Sequence, residues 1–598
     1  MENTNNNNSQ HFKKLGEDLL KEKKVKAQLL FFCQVGSHSF NLNVETSDND
    51  YFGVYELDAD QLLSLTLSPH AALIDGHQPE DFVLYELSKF CELLLKGNPK
   101  LVEPLFTERN CYISQKWEQL RSIRHSFISQ LVISHYVSYS KSQLGDAKKA
   151  QNEKTSRVTT PSSSSPTSSS SSSSTSTFTP SKGSTEERKE KNNDGLSNNH
   201  SPSKKLYHTI RLLHETVRML NGDDPLVYLQ GQHRDYIMNI RMGKISVQES
   251  MDQVNNLYEQ VYKSIDEMKS TNPHNIPMVG DKMALNNWII NCRRSTINQF
   301  KSSTTTTSSE YYNEDQLKLV GFDKQFETVI DKCNEIMVNN NITDYNILYV
   351  GRSGSTLHGV KKNDQDWIAV YATKTDTQFS LYQPIDRLDI TSSPTTNNTD
   401  ASSTTRDTYV TGIQLFEVSY FLNLLSQGNH RAVEQFYNEK VDYCSSQVWD
   451  DLRLKNINYL TANFIQHCWG VAQGQIAKSK SLLSSNKNND NDNEDIFNCI
   501  RKHCYHASRL LYLTESVLKN NTLEIKPNES ERDKLIAILE TKLNFDSLDK
   551  LIQETSSQSN LINLQTTKLG SSSKEKKAQE TNVKSSVNNW IVKLRLSL

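Results

Sequence analysis

The sequence predicts an α+β protein built as two tandem repeats. Each repeat is a small mixed β-sheet head followed by a helical domain, with disordered low-complexity insertions. Three observations predict this. Sequence blocks recur in one order across the two halves. Short apolar runs bounded by glycine open each half, and segments of helical period follow. Only 35% of the 598 residues are apolar, against about 45–50% for an average chain on a slightly wider residue set. Ser-, Thr- and Asn-rich tracts account for the deficit, because such tracts cannot bury enough surface to offset the entropy of ordering.

The repeat is visible block by block. YELSKFCELLLKGNPKLVEPLF (85–106) aligns without a gap on FEVSYFLNLLSQGNHRAVEQFY (416–437). Upstream, the segment 28–55 matches 346–371 with a two-residue deletion. Downstream, KKLYHTIRLL (204–213) matches KHCYHASRLL (502–511), and LNNWIINCRRS (285–295) matches VNNWIVKLRLS (587–597). The expected organisation is a disordered tail over 1–19, a first repeat over 20–300 with an insert at 146–203, and a linker over 301–319. A second repeat follows over 320–598, with inserts at 389–407, 480–495 and 556–586. One insert of each repeat falls at an equivalent loop, where doubling the length costs only about 0.6 kcal/mol. The two repeats are expected to pack on each other as a pseudo-dimer.

Within the first repeat, Leu29 to Cys33 reads as a buried strand ended by Gly36, and Tyr51 to Leu57 and Phe82 to Leu84 as two more. Leu84, Leu87, Cys91 and Leu94 then recur at helical spacing until Gly97-Asn98-Pro99 supplies a stop. Residues 115–143, 204–221 and 251–268 are also helix-like. Trp288 and Trp590 read as core anchors closing each repeat.

Composition excludes several classes. With 67 Lys and Arg against 70 Asp and Glu, the net charge is −3, so any polyanion contact must be local. No apolar run reaches the ~18 residues of a membrane span, and the polar start MENTNNNNSQ lacks the core of a signal peptide. The nine cysteines form no CxxC pair. A cytoplasmic or nuclear protein without zinc or disulfides is expected.

Chemistry concentrates near the amino end. Gly36-Ser37 is followed by Asp48-x-Asp50, in or just before a strand, where residues two apart share a face. Two carboxylates so placed repel unless a cation lies between them, and hard oxygen ligands suit Mg²⁺ (or Mn²⁺) with substrate phosphates. Gly36 lets the backbone approach a ligand, and a following helix N-terminus would favour phosphate at Ser37. On the helix starting near Lys204, Lys204, His208 and Arg211 share one face opposite Leu206, Ile210, Leu213 and Val217. Lys502, His506 and Arg509 repeat that face. Such a face suits a triphosphate or RNA phosphate, with His208 as phosphate donor or proton carrier.

Gly-Ser, then about ten residues, then Asp-x-Asp resembles the signature of the DNA polymerase beta-like nucleotidyltransferase superfamily. The string GSHSFNLNVETSDNDYFGVY, followed by YELSKFCELLLKGNP and YHTIRLL, resembles the RNA-ligase-associated, RNA-repair subgroup. The resemblance covers most of both repeats. It implies transfer of a nucleoside monophosphate from an NTP to a hydroxyl, with two metal ions clamping the reacting oxygens. Asp48 and Asp50 would be metal ligands, and Asp81 the third carboxylate, with Asp75 and Glu80 as alternatives. Gly36, Ser37, Lys204, His208 and Arg211 would bind the nucleotide, and the acceptor would be an RNA end or a nucleotide-like small molecule.

The second repeat keeps Gly354, Ser355, Asp364 and Asp366, but Gly412 stands at the position of Asp81. It is expected to bind a nucleotide and metal through these residues and Lys502, His506 and Arg509, with catalysis weak or absent. Asn41 departs from the glycine usual in the family. The alternative is a non-catalytic NTP- or RNA-binding scaffold or sensor built from two inactive heads.

Overall fold

The structure, a computed structural model, describes residues 2–65, 73–77, 80–158, 201–303, 311–360, 365–382, 384–391, 410–455, 457–486, 494–541, 544–568 and 573–598. The chain forms two compact units, Met1–Leu57 with Pro69–Ile289, and Asp58–Ser68 with Ile290–Leu598.

The first unit opens on a five-stranded sheet. Its strands are β1 (Ala27–Val35), β2 (Asp50–Leu57), β3 (Leu73–Gly76), β4 (Asp81–Glu86) and β5 (Cys111–Ile113), in the order β3-β4-β2-β1-β5. β2 and β4 are parallel, and the other pairings are antiparallel. Leu30, Phe31 and Phe32 are fully buried, as the apolar run requires. β4 runs into the helix Leu87–Leu95, whose first turn is capped by the Glu86 side chain accepting from Ser88 N at 2.7 Å. Gly97 then ends the helix at a left-handed φ of 71°, and Asn98 caps the next turn by accepting from Lys100 N. The helices Gln130–Val158, Pro202–Leu220, Gly231–Arg241 and Val247–Ser270 follow, with the first turns of Lys282–Ser303.

The second unit repeats this plan. Its strands are β6 (Leu319–Val320), β7 (Tyr345–Ser353), β8 (Gln365–Thr373), β9 (Arg387–Thr391), β10 (Val410–Glu417) and β11 (Tyr443–Ser446), in the order β6-β11-β7-β8-β10-β9. Here β8 and β10 are the parallel pair. The duplication extends to irregularities: β1 slips register between Leu29 and Phe31, and β7 between Ile347 and Tyr349. Trp288 donates its indole N–H to Lys116 O at 2.9 Å, and Trp590 does the same to Val448 O at 3.0 Å. Each closing tryptophan thus locks its helix to the same point of its own head.

Gly428 occupies the stop position of the second unit, with φ 76°. A Cβ there would run into the backbone of Asn463 and Phe464. A left-handed L-residue costs about 1–2 kcal/mol, and a clash with backbone has no cheap relief. Gly428→Ala is therefore expected to destabilise the second unit by about 3 kcal/mol or more, read as a lowered denaturation midpoint with unchanged slope.

Several boundaries differ from the sequence reading. A helix spans Glu2–Glu22 where a disordered tail over 1–19 was expected. Phe12, Gly16, Leu19 and Leu20 form its buried stripe, and Gly16 admits close approach, since a Cβ there would lie 2.7 Å from Leu29 Cδ2. The Asn-rich composition hides that stripe. Helix Gln130–Val158 enters the insert expected at 146–203, with Ala147 fully buried. Helices Phe545–Lys568 and Ser573–Ser597 occupy much of 556–586, and Ile562 and Val583 are buried. Helices Ala462–Ser485 and Glu494–Asn520 likewise enter 480–495, and β9 enters 389–407. The first unit ends at Ile289, because Ile297 joins Ala59, Leu63, Phe379 and Leu596 in a cluster of the second. The single helix expected over 115–143 is interrupted by a 3₁₀ turn at Arg124–Phe127, after which Gln130 N bonds Pro277 O at 2.9 Å. Among the described residues no helix is long and apolar enough to cross a membrane.

Candidate active site and its duplicate

The first candidate site forms where β1 ends and β2 begins. Gly36 takes a left-handed φ of 69°, and a Cβ on it would lie 3.2 Å from Asp50 Oδ2. The backbone therefore passes directly over the Asp50 carboxylate. Asp50 is the first residue of β2, and Asp48 lies in the loop before it rather than in the strand. The parallel ladder pairs Asp50 with Asp81, so the two carboxylates leave the same face of adjacent strands about 4.8 Å apart.

The electrostatics agree with this convergence. Burial, then Asp81 and Asp48, raise the Asp50 pKa, while His38 and Lys100 lower it. A raised carboxyl pKa means that the native state holds the proton more tightly than the unfolded chain. Its stabilising contribution is present below the unfolded pKa and lost as pH rises through the native value. Without a cation, the acids thus weaken the fold at neutral pH. A divalent ion that binds only the native state reverses this, by about 2.7 kcal/mol at a hundredfold excess over its Kd. The expected result is a Mg²⁺- or Mn²⁺-dependent rise of about 5–10 °C in the first unit's Tm. Asp50→Asn should abolish that rise while itself raising the metal-free Tm, as checked by calorimetry.

Convergence is incomplete at the third acid. Asp81 Oδ1 lies 2.7 Å from His77 Nδ1, with both side chains exposed. Among the described residues, no three His, Cys, Asp or Glu side chains close to metal-binding distance. Of the alternatives, Glu80 accepts from Asn49 Nδ2 at 2.8 Å and raises Tyr51, which places it on the face opposite Asp50. Asp75 pairs with Val83 on the face that carries Asp81.

The helix Pro202–Leu220 delivers its predicted residues to different places. Lys204 lies in the field of Asp48 and Asp50, although burial and Arg241 lower its pKa. His208 is half-buried. Desolvation first, then Arg211 and Lys204, push it down to about 3. It is therefore a neutral donor at physiological pH rather than a proton carrier titrating there. Arg211 is not available to a nucleotide. It is buried, paired with Glu103 at 2.9 Å, and lies 3.7 Å from the Phe40 ring centre. It props the loop after Gly36. Asn41 of that loop is left-handed at φ 58°, as is Gly359 at 70° in the second repeat. The asparagine thus keeps the turn that its departure from glycine put in question. No helix follows Ser37 directly.

Sequence reasoning missed Lys100, His38 and Arg241. Lys100 and His38 act on Asp50. Arg241 binds Leu42 O and reaches Ser47 Oγ at 3.0 Å, holding the loop that carries Asp48. The signal for Lys100 was present, since the aligned stop segments read GNPK and GNHR.

In the second repeat, Gly354 repeats the turn with φ 67°, and a Cβ there would lie 2.7 Å from Asp366 Oδ2. The parallel ladder pairs Asp366 with Gly412, as it pairs Asp50 with Asp81. Asp364 lies outside the described residues. A cavity of about 550 Å³ opens here, and Gly354, Ser355, Asp366, Lys502, His506 and Arg509 all line it. Asp389 also lines it, at the register of Asp75 in the first sheet. As in the first repeat, the arginine is committed: Arg509 pairs with Glu434 at 2.6 Å and donates to His358 Nε2 at 2.8 Å. Burial alone would raise the Glu434 carboxyl, but Arg509 holds it well below the usual range.

A mixed sheet with a Gly-Ser turn over an acid on the second strand, and a helical domain behind it, defines a polymerase beta-like nucleotidyltransferase head. This chain carries it twice. A family model described as the RNA repair pathway DNA polymerase beta family matches residues 13–230 and 327–593. The chain belongs to that family, as a tandem duplication. No curated protein and no solved structure matches it.

Proposed function

We propose that the first repeat is a divalent-metal-dependent nucleotidyltransferase and that the second is a degenerate binding head. The observation that carries this reading is the contrast at one register position, Asp81 beside Asp50 against Gly412 beside Asp366. The family's placement in RNA repair supports an RNA end as the hydroxyl acceptor.

The donor set fits Mg²⁺ or Mn²⁺, since it offers hard carboxylate oxygens, with Asp50 raised first by burial and then by Asp81 and Asp48. Asp48 and Asp50 would hold the ion, with Asp81 as a third ligand. When bound, such ions neutralise the triphosphate and stabilise the attacking and leaving oxygens. Lys204 meets a phosphate oxygen as a point charge, and neutral His208 donates a ring N–H. Asp81, once turned from His77, accepts the acceptor hydroxyl's proton. The hydroxyl oxygen bonds to the α-phosphorus, the α–β phosphoanhydride bond breaks, and pyrophosphate leaves.

Incubating the full chain with Mg²⁺ or Mn²⁺, labelled NTPs and RNA tests this. Label transfer lost in Asp50→Asn and retained in Asp366→Asn is the expected result. The Asp81–His77 contact favours a second reading, in which both heads bind NTP or RNA without catalysis. Tight NTP binding with no transfer under any condition would establish that reading instead.

A further inference from the structure

We infer that the cavity of the second repeat binds a nucleoside triphosphate through its phosphate chain without a divalent ion. This rests on reading the second head as a binding head, and adds how it binds.

Charge balance distinguishes the two sites. The first sets Asp48, Asp50 and Asp81 against Lys204 and Lys100. In the second, Gly412 removes one acid, and at most Asp364 and Asp366 remain at the equivalent positions. Asp389 is occupied by Arg387 at 2.7 Å, and Glu434 by Arg509. Besides Arg509, which Glu434 holds, two cations line the cavity. Arg431, at the position of Lys100, is exposed, and among the described residues its guanidinium bonds the neutral Gln414, at 3.3 Å, and no acid. Lys502, at the position of Lys204, is exposed and makes no ion pair among the described residues. Gly412 thus removes the third carboxylate of a two-metal clamp and leaves at most two acids against two cations, where the first site sets three against two.

A second observation points to a ligand. His358 and His430 line the cavity, are 3% and 8% exposed, and each has an Nδ1 with no hydrogen-bond partner. Arg509 can only donate, so its 2.8 Å contact with His358 Nε2 assigns the neutral ring's proton to Nδ1, in preference to the longer 3.4 Å contact of the same nitrogen with Glu434. That buried donor lacks an acceptor, an arrangement that costs free energy until an acceptor arrives. Val471 and Leu539 also line the cavity, apolar surface of the kind a base can pack on. Its volume of about 550 Å³ falls within the usual range for small-molecule sites.

The test is equilibrium dialysis of ATP and AMP against the full chain in EDTA. One ATP per chain should bind, and AMP, lacking the outer phosphates, at least tenfold more weakly. Lys502→Ala and Arg431→Ala should each weaken ATP at least tenfold with unchanged unfolding midpoints, and Arg431→Lys should recover part of the loss. Absence of ATP binding in EDTA, equal affinity for AMP, or insensitivity to both cation substitutions would overturn the inference. Transfer by the first repeat is read separately in Mg²⁺, so its survival alongside any of these results rejects only this inference.

Discussion

Asp50→Asn is expected to lower Mg²⁺-dependent label transfer by the full chain about a thousandfold or more. The substitution removes one negative charge and one oxygen ligand at the residue where the Gly36 turn, Asp48 and Asp81 meet. A bound metal contributes several kcal/mol of transition-state charge stabilisation, and each 1.36 kcal/mol is tenfold in rate. The amide fills the same volume, so the sheet should stay intact and the metal-free protein should be no less stable. A loss of activity caused by misfolding would lower the unfolding midpoint, whereas a loss of the metal site would not. Asp366→Asn makes the same chemical change on the second sheet, and transfer should remain within about twofold of the unmodified chain.

Glu434→Ala is expected to destabilise the second unit by about 3–5 kcal/mol. The Glu434 and Arg509 side chains are 3% and 7% exposed. Removing one member of a buried ion pair leaves the other charge uncompensated, which costs about that much. Arg509 and His358 would then face each other with no acid between them. Chemical denaturation of the full chain should show an early transition belonging to the second unit. Label transfer by the first should persist before that transition. Glu103→Ala should act similarly but less strongly in the first unit, because Glu103 is 14% exposed.

What the sequence disclosed depended on range. The repeat blocks carried the order of strands and helices, and the match of 85–106 to 416–437 placed Gly412 opposite Asp81 before any register was known. The glycine stops were legible because a left-handed residue leaves a local mark. Arg211 was misread, because helical spacing assigns a residue to a face but cannot say what packs on that face. Its partner Glu103 lies 108 residues away. The amino-terminal helix was missed because composition was weighed over a few residues of pattern. Asp75 and Asp389 share a register on edge strands, a correspondence carried by no aligned block. The contact that turns Asp81 toward His77 depends on side-chain rotamers, which sequence does not encode by itself.

The most direct measurement is anomalous diffraction from crystals of the full chain grown with Mn²⁺ and a non-hydrolysable NTP. Two Mn²⁺ peaks are expected about 3.5–4 Å apart, among Asp48, Asp50 and Asp81, with Asp81 released from His77. No such pair is expected beside Asp366 and Gly412. An empty first site, or a metal pair held by the second sheet instead, would contradict that placement.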